Sequence, residues 1–214
     1  MSKQNKTNFH ITLVLIIVIS FVMAFFFYPF VPDNFISHWN AAGEANGTMP
    51  KEVGLFLIPV IGVALAILLV LIPKIDPLKK NIKEFINYYN LLILVILCFL
   101  IYIQGLITAA NIGYEFNTLK WMAPAFGLLI FFIGMLLGKT KKNYFIGIRT
   151  PWTLADNATW EATHHLGEKM FKASGIIAIM GFAATEIAIW LVLLPVIFSA
   201  IYCSIYSYYY FSKK

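Results

Sequence analysis

The chain has 214 residues, of which 60% are hydrophobic and only 12% are charged, and its mean hydropathy is +0.79. A soluble domain carries roughly twice that charged fraction, so the composition excludes an ordinary soluble protein and predicts a polytopic membrane protein. The formal net charge of +6 does not require a nucleic-acid partner, because the positions of the basic residues explain it as a topology signal.

The apolar runs predict the membrane-spanning helices. A span needs about 20 predominantly apolar residues, and four runs meet this length, at residues 11–30, 53–72, 85–110 and 121–137. The first is too long for a signal-peptide core, so we predict an uncleaved span. The apolar tail, 171–211, is roughly twice the required length and is predicted to fold back as a helical hairpin, which gives about six spans. We favour a turn near Glu186; a turn at Pro195 would instead place the Glu186 carboxylate inside the bilayer.

The basic residues predict the orientation. With both termini in the cytoplasm, all of the 16 lysines and arginines except Lys51 and Lys120 fall on the cytoplasmic side, as the positive-inside rule requires. We therefore predict a multi-pass plasma-membrane protein whose basic residues contact lipid headgroups. Cys98 and Cys203 lie in apolar runs and indicate neither a disulfide framework nor a metal site.

Two polar segments interrupt the apolar runs. In the first outer loop, residues 28–54, Pro29 and Pro32 end the preceding helix, and the Asn-Gly pair at 46–47 predicts a turn. This loop also carries a compact amphipathic group that either anchors at the headgroups or meets a ligand from outside: His38, Trp39 and Asn40. The cytoplasmic loop "PKIDPLKKNIKE" is interpreted as a short basic connection.

The second polar segment includes "GIRTPWTLADNATWEATHHLG", residues 147–167. Thr153 and Asp156 match a capping box and predict a helix start, and Arg149 is placed for a lipid phosphate or a carboxylate. Apolar residues at every fourth position predict an amphipathic helix on the cytoplasmic surface: Leu154, Ala158, Ala162, Leu166 and Met170.

The same helix carries a cluster of possible metal ligands, Glu161, His164, His165 and Glu168. Glu161, His165 and Glu168 have spacings that share a helical face, so they are candidates for a metal or proton-transfer site. The order differs from that of a zinc-protease helix, and we predict no cofactor and no enzymatic activity. A metal-dependent membrane enzyme remains one alternative. A small-solute transporter is the other, with Glu186 as its candidate intramembrane charge.

The run "NYFIGIRTPWTLADNATWEATHHLG" resembles the signature of the SdpI family, immunity proteins against the sporulation-delaying peptide toxin of bacilli. The matching positions are Asn143, Gly147 through Leu154, Trp160, Thr163, His164 and Gly167. The first outer loop resembles the small domain that often precedes this signature, through Pro32, His38, Trp39, Asn40, Gly43, Gly47 and Lys51. Ile36 and Asn46 depart from its usual proline and aspartate.

The resemblance implies a plasma-membrane protein that protects its cell from a secreted, membrane-active peptide toxin. The best-known member also senses the toxin and draws a transcriptional repressor to the membrane. We expect an all-α protein. Residues 1–75 should form a helical hairpin with the outer loop, and residues 76–214 an SdpI-like four-helix region that carries the cytoplasmic signature segment, 143–170. The two regions are expected to form one structural unit. The candidate ligand- or partner-binding residues are Asn143, Arg149, Thr150, Pro151, Trp152, Trp160 and His164 in the signature segment, and His38, Trp39, Asn40 and Lys51 outside.

Overall fold

The computed structural model describes residues 3–214. The side chains of Lys3, Asn5 and Lys6 lie outside the described part, so the predicted cytoplasmic position of Lys3 and Lys6 stays a prediction. The elements in chain order are α1 (Lys3–Phe27), β1 (Asn34–Trp39), β2 (Ala45–Pro50), α2 (Lys51–Ile75), α3 (Lys79–Glu84), α4 (Ile86–Asn111), α5 (Thr118–Leu137), α6 (Pro151–Ala155), α7 (Asn157–Met180), a 3-10 turn (Thr185–Ile187) and α8 (Ala188–Ser212).

Within the described residues, five helical segments are long and apolar enough to cross a membrane: Thr7–Phe27, Lys51–Ile75, Ile86–Asn111, Thr118–Leu137 and Thr185–Ser212. The prediction of a helical, polytopic membrane protein is therefore confirmed. The remaining long helix, α7, is as long as the others but carries several charged residues, and a count of six spans stays a prediction.

The long helices form two bundles that meet through α4 and α5. In the first bundle α1, α2 and α4 pack together, and in the second α5, α7 and α8 pack together. The closest approach is between α5 and α7, where a Cβ on Gly127 would lie 2.6 Å from the carbonyl oxygen of Gly175. Helices in a bilayer associate through such small residues, because lipid removes the hydrophobic drive that larger residues supply in water.

The last helical hairpin turns near Glu186, as favoured from the sequence. α7 ends at Met180, α8 begins at Ala188, and Pro195 lies inside α8. Glu186 is exposed in the turn between them. The alternative turn at Pro195 is wrong, because α8 continues through this residue.

The first outer loop folds as a β-hairpin, which the sequence analysis did not predict. β1 and β2 pair antiparallel. The turn predicted at 46–47 is wrong, because these residues lie in β2 and the chain reverses between Asn40 and Glu44. There the Asn40 Oδ1 accepts hydrogen bonds from the backbone N–H groups of Ala42 and Glu44, at 2.9 and 3.0 Å. Gly43 supplies the positive φ of 83°. An asparagine side chain that satisfies its own turn outcompetes the Asn-Gly signal.

Candidate functional site

The connector, residues 138–156 between α5 and α7, is folded around the buried side chain of Asn143. Its Oδ1 accepts hydrogen bonds from the N–H groups of Phe145 and Ile146, at 2.9 and 2.6 Å. Its Nδ2 donates to the carbonyls of Lys141 and Ile146, both at 2.9 Å. All four bonds stay within the loop, so Asn143 holds the shape of the connector. Its predicted role toward a ligand or partner stays a prediction.

His164 joins the connector to α7. Its Nε2 accepts a hydrogen bond from the N–H of Ile148 at 2.9 Å, and its Nδ1 lies 2.8 Å from the carbonyl oxygen of Trp160. These partners assign the proton to Nδ1. Burial lowers the pKa of His164 to about 4, so the imidazole is neutral at physiological pH. Gly147 has a φ of +114°, and a Cβ there would lie 2.4 Å from the His164 Nε2.

Trp160 fills the space between the connector and α7. Only 1% of its surface is exposed. Its ring stacks on that of His164 with centroids 4.0 Å apart, and its Nε1 donates to the carbonyl of Thr140 at 3.2 Å. The structure thus brings Asn143, Trp160 and His164 into one buried polar cluster at the end of α5. This end of the molecule is called the connector face below, and the opposite end the hairpin face.

The predicted helix start at Thr153 is wrong, because the capping box lies three residues earlier. Thr150 is the N-cap of α6: its Oγ1 accepts from the N–H of Thr153 at 3.2 Å, while the Thr153 Oγ1 accepts from the N–H of Thr150 at 2.9 Å. Pro151 occupies the first helical position, where its fixed φ suits a helix and its missing N–H costs nothing. The pattern therefore contains a capping box, but with threonine in place of the usual acidic residue.

A second cap begins α7. Asp156 is extended, which separates α6 from α7, and its Oδ2 accepts hydrogen bonds from the N–H and Oγ1 of Thr159, both at 2.7 Å. Lys214 forms an ion pair with the same carboxylate. The pKa of Asp156 lies well below its usual range because of the Lys214 hydrogen bond and, after it, those from Thr159. The last residue of the chain thus contacts the start of α7.

The C-terminal end of α8 also contacts α6. The Thr150 and Ser207 hydroxyls lie 2.9 Å apart, and the rings of Trp152 and Tyr208 meet edge to face at 5.1 Å. Of the predicted signature residues, Thr150, Pro151 and Trp152 therefore form the part of the connector beside α8, away from the Asn143 cluster.

The apolar stripe predicted for the amphipathic helix is wrong, because its residues do not form the buried face of α7. Ala158 is exposed, and Leu154 belongs to α6. Apart from Trp160, the buried side of α7 is polar or small instead: Thr159, Thr163, His164, Gly167, Ser174, Gly175 and Ala178. The neighbours of this face are the connector, α5 and α8, and helix contacts in membranes favour small and hydrogen-bonding residues.

The candidate metal ligands do not converge. Glu161 forms an ion pair with Lys141 at 3.3 Å, whereas Glu168 pairs with Lys172. His165 is exposed, while the ring of His164 points into the buried cluster. Across residues 3–214, as far as side chains are described, no group of three acidic, histidine or cysteine residues could hold a metal ion.

Arg149 is exposed on the connector face and donates from its Nη1 to the carbonyl oxygen of Tyr144 at 2.7 Å. The predicted carboxylate partner is absent among the side chains that the structure describes. A lipid phosphate remains the predicted alternative.

Asp76 is a site residue that sequence reasoning missed. Only 1% of it is exposed, and its two carboxylate oxygens accept from the N–H groups of Leu78 and Tyr144, at 2.6 and 2.9 Å. Nearby, Asn81 donates to the carbonyl of Lys142 at 2.7 Å. The loop after α2 is thereby bonded to the connector. The only sequence signal was one acidic residue between two prolines in a basic loop.

The outer-loop candidates occupy two ends of the β-hairpin. His38 and Asn40 lie near its tip: the His38 Nδ1 is 2.6 Å from the Asn46 Oδ1, and Trp39 beside it is half-buried. Lys51 lies at the base, 2.7 Å from Asp33 and over the ring of Tyr28. The hairpin therefore does not bring Lys51 together with the His-Trp-Asn group.

Asn111 at the end of α4 clamps the hairpin to the bundle. Its Oδ1 accepts from the N–H of Ile36 at 2.7 Å, and its Nδ2 donates to the carbonyl of Ile36 at 3.0 Å. At the tip, a Cβ on Gly43 would lie 3.0 Å from the side chain of Asn117, the N-cap of α5. The hairpin therefore contacts helices of both bundles.

These features define a polytopic helical membrane protein whose two bundles are joined by a β-hairpin at one face and by an ordered polar connector at the other. Residues 139–207 match the SdpI/YfhL protein family, and residues 15–63 match a domain of unknown function, DUF1648. The resemblance indicated by the sequence is thus confirmed, including the small domain that precedes the signature.

The chain is also similar across nearly its whole length to a curated protein. It is 26% identical over 202 residues to the "Immunity protein SdpI" of Bacillus subtilis (strain 168), and the aligned region covers 94% of this chain and 94% of that protein. The matched region includes both the β-hairpin and the connector. No solved structure matches the chain.

Proposed function

We propose that this chain is an immunity protein of the plasma membrane that protects its cell from a secreted, membrane-active peptide. The observation that carries the proposal is the similarity over 94% of the chain to a protein named for immunity.

The proposal includes six membrane passages with both termini in the cytoplasm. α7 runs antiparallel to α5: Glu168 lies against Gly138 at the connector face, and Phe182 contacts Trp121 at 5.2 Å near the hairpin face. A helix that covers the length of a membrane-spanning neighbour crosses the same bilayer. Its Glu168–Lys172 pair then lies in the headgroup region, where ion pairing and the flexible lysine stem reduce the cost of burial.

Cysteine labelling tests this orientation at two alanines, one near the start of α7 and one in the turn just after its end. Ala158 and Ala183 are both exposed, and each is replaced by cysteine in a background without Cys98 and Cys203. A membrane-impermeant maleimide on intact cells should label Ala183→Cys, and Ala158→Cys only after permeabilisation. The reverse pattern, or labelling of both in intact cells, would overturn the topology.

A peptide arriving from outside meets the hairpin face first. The hairpin contacts α4 through Asn111 and α5 through Gly43, and α4 and α5 connect the two bundles. At the other face, Asp76 and Asn81 bond the first bundle to the connector of the second. A peptide that binds one arrangement of the bundles more tightly than another will therefore shift the connector. A cytoplasmic repressor would then recognise the exposed part of the connector, which includes Tyr144, Phe145 and Arg149.

A survival assay tests the function. The chain is expressed in a toxin-sensitive host, which is challenged with the purified peptide, and survival is compared at equal protein abundance. Wild-type protein should raise survival. Arg149→Ala should lower it if the connector takes part, whereas Lys80→Ala, which removes an exposed positive charge of the same face, should match wild type. No protection by the wild-type chain would refute the proposed function.

A further inference from the structure

A pocket of about 380 Å³ opens at the connector face among α1, α2, α3 and α4. Its basic rim comes from three different helices, with His10 of α1, Lys74 in the last turn of α2 and Lys83 of α3, while Tyr89 and Asn90 of α4 add neutral polar groups to the lining. Both lysines are exposed. The described residues that line this pocket include no aspartate or glutamate. The rim is therefore basic, in contrast to the neighbouring polar pocket, which Glu84 and Glu161 also line.

The inner wall of the same pocket is apolar. Phe9, Val70 and Ile86 contribute apolar side chains to its lining. Phe9 is buried in the core of the first bundle, and Val70 and Ile86 pack against that core. The pocket therefore combines a positively charged opening with a hydrophobic interior, and it lies at the end of three helices where lipid headgroups meet the protein.

We propose that this pocket binds an anionic phospholipid, with its phosphate between Lys74 and Lys83 and one acyl chain along the apolar wall. Lysine binds phosphate as a compact positive charge, and basic pockets between membrane helices commonly hold anionic lipid headgroups. A soluble phosphate would satisfy the rim but leave the apolar wall in contact with water. A zwitterionic lipid such as phosphatidylcholine would also fill the apolar wall, but the choline cation beside its phosphate would oppose the two ammonium groups.

The proposal is tested with the full-length protein in nanodiscs that contain phosphatidylcholine and a minor fraction of phosphatidylglycerol. Retained lipids are counted by native mass spectrometry after release. The test variant is Lys74→Gln/Lys83→Gln. The matched control is Lys79→Gln/Lys80→Gln, which removes two exposed lysines from the same segment that do not line the pocket.

Wild type and control should retain phosphatidylglycerol in preference to phosphatidylcholine. The test variant should bind it about 30-fold more weakly, since each lysine near a membrane surface contributes roughly a fivefold preference for anionic lipid. Equal retention by the two double variants would overturn the proposal, as would equal retention of both lipids by wild type.

A competition arm separates the lipid from free phosphate. Millimolar inorganic phosphate should leave the bound phosphatidylglycerol in place; its displacement would show a soluble-anion site and refute the lipid assignment. Thermal unfolding of each variant confirms that it is folded. The assay involves no toxin, so failure of the immunity proposal in the survival assay would leave this result unaffected.

Discussion

Replacement of Gly147 by alanine should destabilise the protein through two separable effects. The φ of +114° at this position is unfavourable for a residue with a Cβ, at a cost of roughly 1–2 kcal/mol. In addition, the new Cβ would lie 2.4 Å from the His164 Nε2, which is far inside van der Waals contact. The imidazole must move, and the hydrogen bond that it accepts from the Ile148 N–H is lost.

The magnitude follows from these two effects. A buried polar group that loses its partner costs about 1–3 kcal/mol, so Gly147→Ala should lower the free energy of unfolding by roughly 2–5 kcal/mol in total. Gly113→Ala is the matched control. Gly113 also has a positive φ, +97°, but a Cβ there would meet no heavy atom within 4 Å. It should therefore show only the backbone cost of roughly 1–2 kcal/mol.

Denaturant unfolding in detergent micelles measures the difference between the two variants. A double-mutant cycle with His164→Ala isolates the contact, since Gly147→Ala should cost only the backbone part once the ring is absent. If Gly147→Ala proved no more harmful than Gly113→Ala, or if removal of the ring gave no relief, the close approach to His164 would not be the reason for glycine at this position.

Three further predictions concern polar contacts. The free energy of unfolding should fall by roughly 3 kcal/mol as pH drops from about 6.5 to 4, because the unfolded chain protonates His164 at its ordinary pKa and the folded protein only at about 4. This loss should be absent in His164→Gln. An equal dependence on pH in both proteins would exclude His164 as the cause. Asp76→Asn should lower the free energy of unfolding by about 1–3 kcal/mol, because an amide nitrogen cannot accept the hydrogen bond that one carboxylate oxygen accepts from an N–H group. The control Asp33→Asn, at an exposed position, should lower it by less than about 1 kcal/mol. Equal denaturant midpoints for the two variants would contradict this prediction. Asn111→Ala should speed hydrogen exchange in β1 and β2 and leave the helices unchanged, and unaltered exchange in the strands would refute the clamp.

The positions of α2, α4 and α5 could be predicted to within about three residues, because few backbone structures are possible in a bilayer, whereas α1 begins eight residues before its predicted start. Every backbone polar group in the hydrocarbon must be satisfied within the segment, so an apolar run of sufficient length becomes a helix. Three of the predicted signature residues, Asn143, Trp160 and His164, lie together in space, and their role as a binding site stays a prediction. Their grouping came from a family resemblance, whereas their hydrogen bonds could not be predicted from spacing.

What the sequence could not supply is which neighbour each polar group meets. Thr150 and Asp156 both cap helices in the structure, yet in the sequence the pattern Thr153-x-x-Asp156 matches a capping box equally well. The true caps are contacted by Ser207 of α8 and by Lys214, which follows that helix. Asp76 and Asn111 were overlooked for the same reason, since the partner of each lies more than 60 residues away.

The polar face of α7 connects these observations. A helix that must lie against α5, α8 and the connector can replace large apolar residues with glycine, serine and histidine on its buried side, because its partners are backbone and polar groups rather than lipid. These polar and small residues lower the mean hydropathy of α7, so a search for apolar runs does not detect this helix. It also places His164 where one hydrogen bond joins the helix to the connector. The connector is bonded through Asp76 to the first bundle, so a shift between the bundles must either move the connector or break these bonds. Under the proposed topology, we therefore expect the connector to respond to a peptide bound at the hairpin face.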